Sequence, residues 1–260
     1  MKLLFIGDIV GKVGRNVVRA SLPRLVDTYK VDMIIANGEN IAGGFGLTAS
    51  LVNDLYAMGV HVITTGNHVW DKKDFASYIA KDNRVLRPAN LAPGVPGYGS
   101  IIYRLPEGTK VAVLNLSGRV FMSNMDCPFR KALTEVEVLA RETHIIIIDF
   151  HAEATSEKIA FGYFVDGKVS AVIGTHTHVQ TADEKILQHG TAYITDVGMT
   201  GPSYSVIGIE VDQIIRRFLT GMPDRFETAQ GNGILSAVVV DINAETGKAA
   251  AIQRILLNYP

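Results

Sequence analysis

Met1-Lys2-Leu3-Leu4-Phe5-Ile6-Gly7-Asp8 is an apolar run closed by a glycine and then by an acid, and the pattern returns twice in the residues that follow. Met33-Ile34-Ile35-Ala36-Asn37 leads into Gly38-Glu39-Asn40, and His61-Val62-Ile63-Thr64-Thr65 leads into Gly66-Asn67-His68. Each apolar run, over 2–6, 33–37 and 61–65, reads as a strand. Helical stretches alternate with them: about 14–29 with Pro23 bending it, Thr48 as the cap of a helix running to Met58, and a stretch near 72–80. A βαβαβα order implies parallel strands with right-handed crossovers. Glycine at the end of each run lets the chain turn sharply and lets bulky groups approach the backbone.

Further along, residues 89–98 are rich in proline and glycine and read as a loop. Ile101–Arg104 and Val111–Leu116 form a hairpin around Pro106-Glu107-Gly108. A helix is expected over 130–143, then a nearly continuous apolar strand from Thr143 to Phe150 that ends on His151. Strands are expected at 168–173, 191–194, 234–242 and 249–257, with one helix near 210–221 and a hairpin turn at Ala244-Glu245-Thr246-Gly247. No repeat, low-complexity tract or linker interrupts the chain. The expectation is one α/β domain over 1–260, with two sheets.

The bulk properties narrow the function. The 260 residues are 47% hydrophobic and 20% charged, with a formal net charge of -1, as in an ordinary globular protein. There is no basic excess for an extended nucleic-acid interface, although a small nucleotide or phosphate ester fits one local pocket. The first apolar run lacks the length and cleavage site of a signal peptide, and Asp8 interrupts it too soon for a membrane span. The single Cys127 excludes an internal disulfide and an iron–sulfur cluster held by this chain alone. It reads as a structural thiol in a reducing cytoplasm.

In open parallel sheets, ligands gather beyond the carboxyl ends of the strands. A further strand, in Ala171-Val172-Ile173-Gly174-Thr175-His176-Thr177-His178, ends on two histidines spaced so that extended backbone points both to one side. With the earlier endings, the candidates are Asp8, Glu39, Asn40, Asn67, His68, His151, His176 and His178. Imidazole nitrogens mixed with carboxylate and amide oxygens suit iron, manganese or zinc better than magnesium or calcium. One ion takes about four to six ligands, so eight candidates with water suit two ions. Two divalent ions against two carboxylates leave a positive surplus that attracts phosphate esters, and a non-ligating histidine is the natural general acid.

The motifs Gly7-Asp8, Gly38-Glu39-Asn40, Gly66-Asn67-His68, His151 and Gly174-Thr175-His176-Thr177-His178 resemble the calcineurin-like metallophosphoesterase superfamily, whose order is GDxH, GDxxD, GNHD/E, H and GHxH. Val10 departs from the His of the first motif, Glu39 from the bridging Asp, and Val69 from the acid after Gly-Asn-His. Thr175 precedes the histidine pair. These departures, with Asn37-Gly38-Glu39-Asn40-Ile41-Ala42-Gly43-Gly44, Thr65-Gly66-Asn67-His68-Val69-Trp70 and Thr195-Asp196-Val197-Gly198-Met199-Thr200-Gly201, are similar to the bacterial 2',3'-cyclic-nucleotide 2'-phosphodiesterase branch.

The resemblance implies a four-layer α-β-β-α sandwich of two mixed sheets flanked by helices, and two metal ions, iron or manganese. One ion would be held by Asp8, Glu39, Asn40 and His178, the other by Glu39, Asn67, His151 and His176. Glu39 would bridge them, and Asn40 would fill the place left by Val10. The implied activity is hydrolysis of a cyclic nucleotide, 2',3'-cyclic or 3',5'-cyclic AMP, by a metal-bound hydroxide, with His68 as proton donor. A broader phosphomonoesterase or nuclease, and a metal-binding regulatory protein with weak phosphoesterase activity, are the rival readings. A nicotinamide-dependent redox enzyme fails for want of a glycine fingerprint.

The remaining features carry less. His61, His144 and His189 match no motif and read as ordinary surface or strand-edge residues. Asp149 is either a partner that orients a ligand histidine or a solvated strand end. Gly43-Gly44-Phe45-Gly46 reads as a flexible loop at the rim of the metal site, where Phe45 could stack on a base. Thr195-Asp196-Val197-Gly198 could shape the far wall of the pocket. No membrane partner is expected, and self-association into a homo-oligomer would use the strand-rich C-terminal part.

Overall fold

The computed structural model describes residues 1–260. Its elements, in chain order, are β1 (Lys2–Ile6), β2 (Asp8–Ile9), α1 (Gly11–Tyr29), β3 (Met33–Asn37), α2 (Ala49–Ala57), β4 (Val62–Thr64), α3 (Phe75–Ile79), β5 (Val85–Leu86), β6 (Ser100–Arg104) and β7 (Lys110–Ser117). There follow α4 (Pro128–Leu139), β8 (Ile146–His151), α5 (Thr155–Val165), β9 (Ala171–Thr175), β10 (Lys185–Ile186), β11 (Ala192–Ile194), β12 (Met199–Pro202), α6 (Val211–Thr220), β13 (Gly233–Ile242) and β14 (Ala249–Tyr259).

Strand alternation builds the layers. In β1, Leu4 and Ile6 face the helices and pack with Val17, Val18 and Leu22 of α1. Leu3 and Phe5 face the other way and pack with Val111, Val113, Ile147 and Ile173 of the second sheet. In β8 the sense is reversed: Ile147 enters the middle layer, while Ile146 and Ile148 meet Ala132 and Val136 of α4 and Phe161 and Val165 of α5. Three apolar cores thus lie between four layers, helix, sheet, sheet, helix. Both faces of the central strands are covered, so they read as continuous apolar runs rather than alternating ones.

The first sheet runs β2-β12-β13-β1-β3-β4-β5, with β14 also paired to β13, and the second runs β10-β11-β9-β8-β7-β6. Both are mixed. The strands β1, β3, β4 and β5 are parallel and β13 lies antiparallel to β1. In the second sheet β7, β8, β9 and β11 are parallel, with β6 and β10 as antiparallel edges.

The fold matches the four-layer expectation, and the differences are local. The first helix begins at Gly11, in a left-handed conformation (φ 58°), rather than at 14. The helix expected over 72–80 is only Phe75–Ile79, because residues 67–74 form turns around His68. The helix α5 was not expected: Ile159, Phe161, Tyr163, Phe164 and Val165 surround its axis and leave no amphipathic period. The strands β2, β5, β10 and β12 are too short to leave a period in the sequence. No helix is long and apolar enough to cross a membrane.

Candidate metal centre

The carboxyl ends of β1, β3, β4, β8 and β9 open toward one another, and each carries its predicted residues there. Asp8 follows β1, Glu39 and Asn40 follow β3, Asn67 and His68 follow β4, His151 closes β8, and His176 and His178 follow β9. Gly66 must be glycine: a Cβ there would run into the imidazole of His151. The histidine pair does not lie in the extended backbone expected for it: β9 ends at Thr175, and the chain enters a strained turn with His176 at φ 103° and His178 at φ 65°, a region that non-glycine residues occupy only when their surroundings hold them there.

The centre of the cluster is His151 Nε2. It lies 3.0 Å from Glu39 Oε1, 3.0 Å from Asn67 Oδ1 and 3.0 Å from His176 Nδ1. The orientation of each ring follows from its other nitrogen. Thr175 Oγ1 donates to Asp149 Oδ1 at 2.7 Å, so it accepts from His151 Nδ1–H at 2.8 Å and leaves Nε2 as the free donor atom. His176 Nε2 faces Glu153 Oε2 at 3.1 Å, which turns Nδ1 and its lone pair inward. A single proton cannot satisfy Glu39, Asn67 and His176 together. A cation can accept electron pairs from all four groups at once.

A second set lies beside the first. Asp8 Oδ1 and Asn40 Oδ1 are buried with no hydrogen-bond partner, a costly condition unless something else contacts them. Asn40 Nδ2 donates to the carbonyl of Gly44 at 2.9 Å, which fixes the amide with its oxygen free. His178 Nδ1–H donates to the carbonyl of Ile207 at 2.8 Å and leaves Nε2 free. Glu39, Asn40, His176 and His178 line a common cavity of about 290 Å³. Ligand atoms of Glu39, His151 and His176 lie within 4.8 Å of one another, and Asp8 and His178 stand outside this tight group. The donor chemistry and the two orphaned oxygens fit cation binding.

The electrostatics of the side chains alone point the same way. Burial raises the Glu39 carboxyl, but His151 outweighs it and holds the group at about 2. Burial lowers His151, yet Glu39, Asp8 and Asp149 push it up to about 9. Burial and the adjacent His151 bring His176 down to about 3, and burial lifts Asp8 well above the usual carboxylate range. A proton on His151 therefore sits among the carboxylates where a metal ion would carry the positive charge.

His68 is half-buried at the same cavity. Its backbone N–H donates to Glu39 Oε2 at 3.2 Å, and its Nδ1 meets Asp71 Oδ2 at 2.8 Å. Val69 stands where the superfamily pattern has an acid, and a carboxylate reaches His68 from Asp71 instead. Asp149 is fully buried, accepting from Thr64, Asn37 and Thr175, so it is not a solvated strand end, and it reaches His151 only through Thr175. Asp196 does not form a wall. Its Oδ2 accepts from Lys158 Nζ at 2.6 Å and from the Thr177 N–H at 3.0 Å, its Oδ1 accepts from the Gly198 N–H at 2.8 Å, and Lys158 also donates to the Thr175 carbonyl at 2.7 Å. This buried ion pair props the histidine turn from behind.

Glu153, Asp71 and Lys158 escaped the sequence reading. Lys158 follows Glu157 in a stretch whose helix left no period, and its partner Asp196 is 38 residues further along, so no local signal marked it.

Two packed mixed sheets with cation-seeking side chains gathered at their carboxyl ends define a metallophosphoesterase, a hydrolase of phosphoester bonds. Within that class the chain belongs to the YmdB-like protein family, whose profile matches residues 4–255. It is 51% identical over 258 residues to the 2',3'-cyclic-nucleotide 2'-phosphodiesterase of Bacillus subtilis (strain 168), covering 99% of this chain and 97% of that one. The crystal structure of a novel phosphatase from Mycoplasma pneumoniae superposes with a TM-score of 0.93 at 38% identity, covering 100% of this chain and 94% of that chain. A hypothetical protein from Thermus thermophilus superposes equally well, with a TM-score of 0.93 at 40% identity and full coverage of both chains.

Proposed function

We propose that this chain is a dimetal phosphodiesterase that opens 2',3'-cyclic nucleotides at the 2' ester and leaves a 3'-monophosphate. The observation that carries the reading is the convergence of Glu39, Asn67 and His176 on His151 Nε2, each at 3.0 Å. One ion is assigned to Asp8, Glu39, Asn40 and His178, and the other to Glu39, Asn67, His151 and His176, with Glu39 shared. Iron or manganese suits this mixture of nitrogen and oxygen donors. Residues 1–260 act as one domain in this reading, and the reduced thiol of Cys127 suits a cytoplasmic setting.

When bound, such ions supply Lewis-acid polarisation of the phosphoryl oxygens and lower the pKa of water in the site. The rest is the work of side chains. Glu153 and Thr175 fix the two imidazoles at the centre in the tautomers that leave their inward nitrogens free. Hydrolysis joins a water oxygen to phosphorus and breaks the bond from phosphorus to O2'. His68, held through Nδ1 by Asp71, gives the proton on its Nε2 to the departing O2'.

The test joins elemental analysis of protein purified without added metal to hydrolysis of 2',3'-cyclic AMP, 3',5'-cyclic AMP and p-nitrophenyl phosphate. Two iron or manganese ions per chain with turnover of the 2',3'-cyclic substrate is the expected result. Preference for the monoester would favour the phosphomonoesterase reading, and two ions with no turnover would favour the regulatory one. His68→Ala should keep the metal and lose about 10²–10⁴ in kcat. An equal loss of metal would remove His68 from the role of proton donor.

A further inference from the structure

We propose that Phe45 is the residue by which this site selects nucleosides, holding the base of the substrate against the apolar side of the cavity without reading its identity. The inference rests on the proposed action on cyclic nucleotides and adds how the base is held. The cavity is lined by two unlike sets of side chains. One is Glu39, Asn40, His68, His176 and His178, and the other is Val10, Phe45, Ile207, Ile209, Ile214 and Phe226. A phosphoryl group needs only the first. The second gives the same cavity apolar lining next to the polar groups, which suits a flat, weakly hydrated ring attached to the phosphate ester.

Phe45 is placed for this task by its backbone. Gly43, Gly44 and Gly46 surround it with φ values of 71°, 94° and 75°, three left-handed positions spent on presenting a single aromatic side chain. The loop is fitted rather than loose: a Cβ on Gly44 would lie 2.7 Å from the Thr228 methyl. The Phe45 ring meets the His68 ring edge to face, with centroids 5.2 Å apart. A base against Phe45 therefore stands about one ribose from the atom assigned to protonate O2'.

The rest of the apolar lining is held as firmly. Ile207 has a positive φ of 48°, unusual for a β-branched residue, and its carbonyl is clamped by His178 Nδ1–H at 2.8 Å. Phe226 is held under the guanidinium of Arg217 at 4.7 Å.

The same wall explains why the base would not be read. Apart from the residues assigned to the metals and to proton donation, the polar side chains lining the cavity are Glu153 and Thr177, and Glu153 is engaged by His176. No glutamine, arginine or free asparagine amide is offered to a base edge. Stacking on an aromatic ring tolerates every base, because each has a π-face.

The experiment compares kcat/KM of metal-loaded wild type, Phe45→Ala and Phe45→Trp on adenosine and cytidine 2',3'-cyclic phosphates and on base-free ribose 2',3'-cyclic phosphate. Wild type should prefer both nucleotides over the base-free ester, with the two bases within about tenfold of each other. Phe45→Ala should lower the ratio of nucleotide to base-free turnover by about tenfold, the size of one lost stacking contact, and Phe45→Trp should restore it. As a second measurement on wild type alone, adenosine 3'-monophosphate should inhibit about tenfold more tightly than ribose 3-phosphate. An unchanged ratio in Phe45→Ala, or equal inhibition by the two products, overturns the assignment of Phe45. If wild type leaves all three cyclic esters intact while hydrolysing p-nitrophenyl phosphate, the cyclic-nucleotide reading falls, a result distinct from turnover with no preference for a base.

Discussion

Replacing Lys158 by methionine isolates the device that holds the histidine turn. Lys158 and Asp196 are each 1% exposed and form an ion pair at 2.6 Å. Methionine keeps most of the apolar stem packed in α5, so the change removes charge and hydrogen bonds more than volume. It leaves the Asp196 carboxylate buried against only the N–H groups of Thr177 and Gly198, and it leaves the Thr175 carbonyl without the ammonium. Removing one partner of a buried pair costs about 3–5 kcal/mol, a large fraction of the roughly 5–15 kcal/mol that stabilises an ordinary domain. Urea unfolding of the cation-free protein, followed by circular dichroism, should show a loss of this size with an unchanged m-value. The double variant Lys158→Met/Asp196→Asn should recover at least half of it, because the stranded charge is then gone. A single variant within about 1 kcal/mol of wild type, or a double variant no more stable than the single, would refute the reasoning.

Other consequences can be measured on the same protein. Thr175→Val keeps the shape of the side chain but strands Asp149 Oδ1 and His151 Nδ1, so cation affinity in a chelator competition should fall about 10- to 100-fold, with Thr175→Ser largely restoring it. Cation uptake should release protons below pH 9, because His151 holds its proton up to about 9 in the cation-free site and a metal must displace it. Affinity should rise with pH and level off above that value, and uptake at pH 7 without proton release to a weakly buffered indicator would contradict the assignment. The same raised group favours folding of the cation-free protein below about pH 6.5 and loses that contribution as pH climbs through about 9. Unfolding midpoints of chelator-treated protein should accordingly be lower at pH 9.5 than at pH 6.5.

Much of the fold was legible because it is written in short stretches. Ile145 to Ile148 is an unbroken aliphatic run because β8 has a packed layer on each face, and a glycine followed by a ligand-type side chain marks where β1, β3 and β4 reach the edge of their sheet. Asp8, Glu39, Asn40, Asn67, His68, His151, His176 and His178 could be named for the same reason: residue type and position at a strand end are local properties. The helix α5 was hidden because its apolar residues surround the axis and so carry no period.

Only the tertiary structure decided which nitrogen of each imidazole faces inward. That choice is made by Thr175, Glu153 and Ile207, which reach His151, His176 and His178 from other strands and loops. It likewise made Asp196 the partner of Lys158 and brought Phe45, Ile207 and Phe226 to the lining of one cavity. Local sequence determines what a strand end can offer. Which offers meet depends on two sheets stacking at one angle and register, and that comes from packing summed over the whole core, which no single stretch of the chain records.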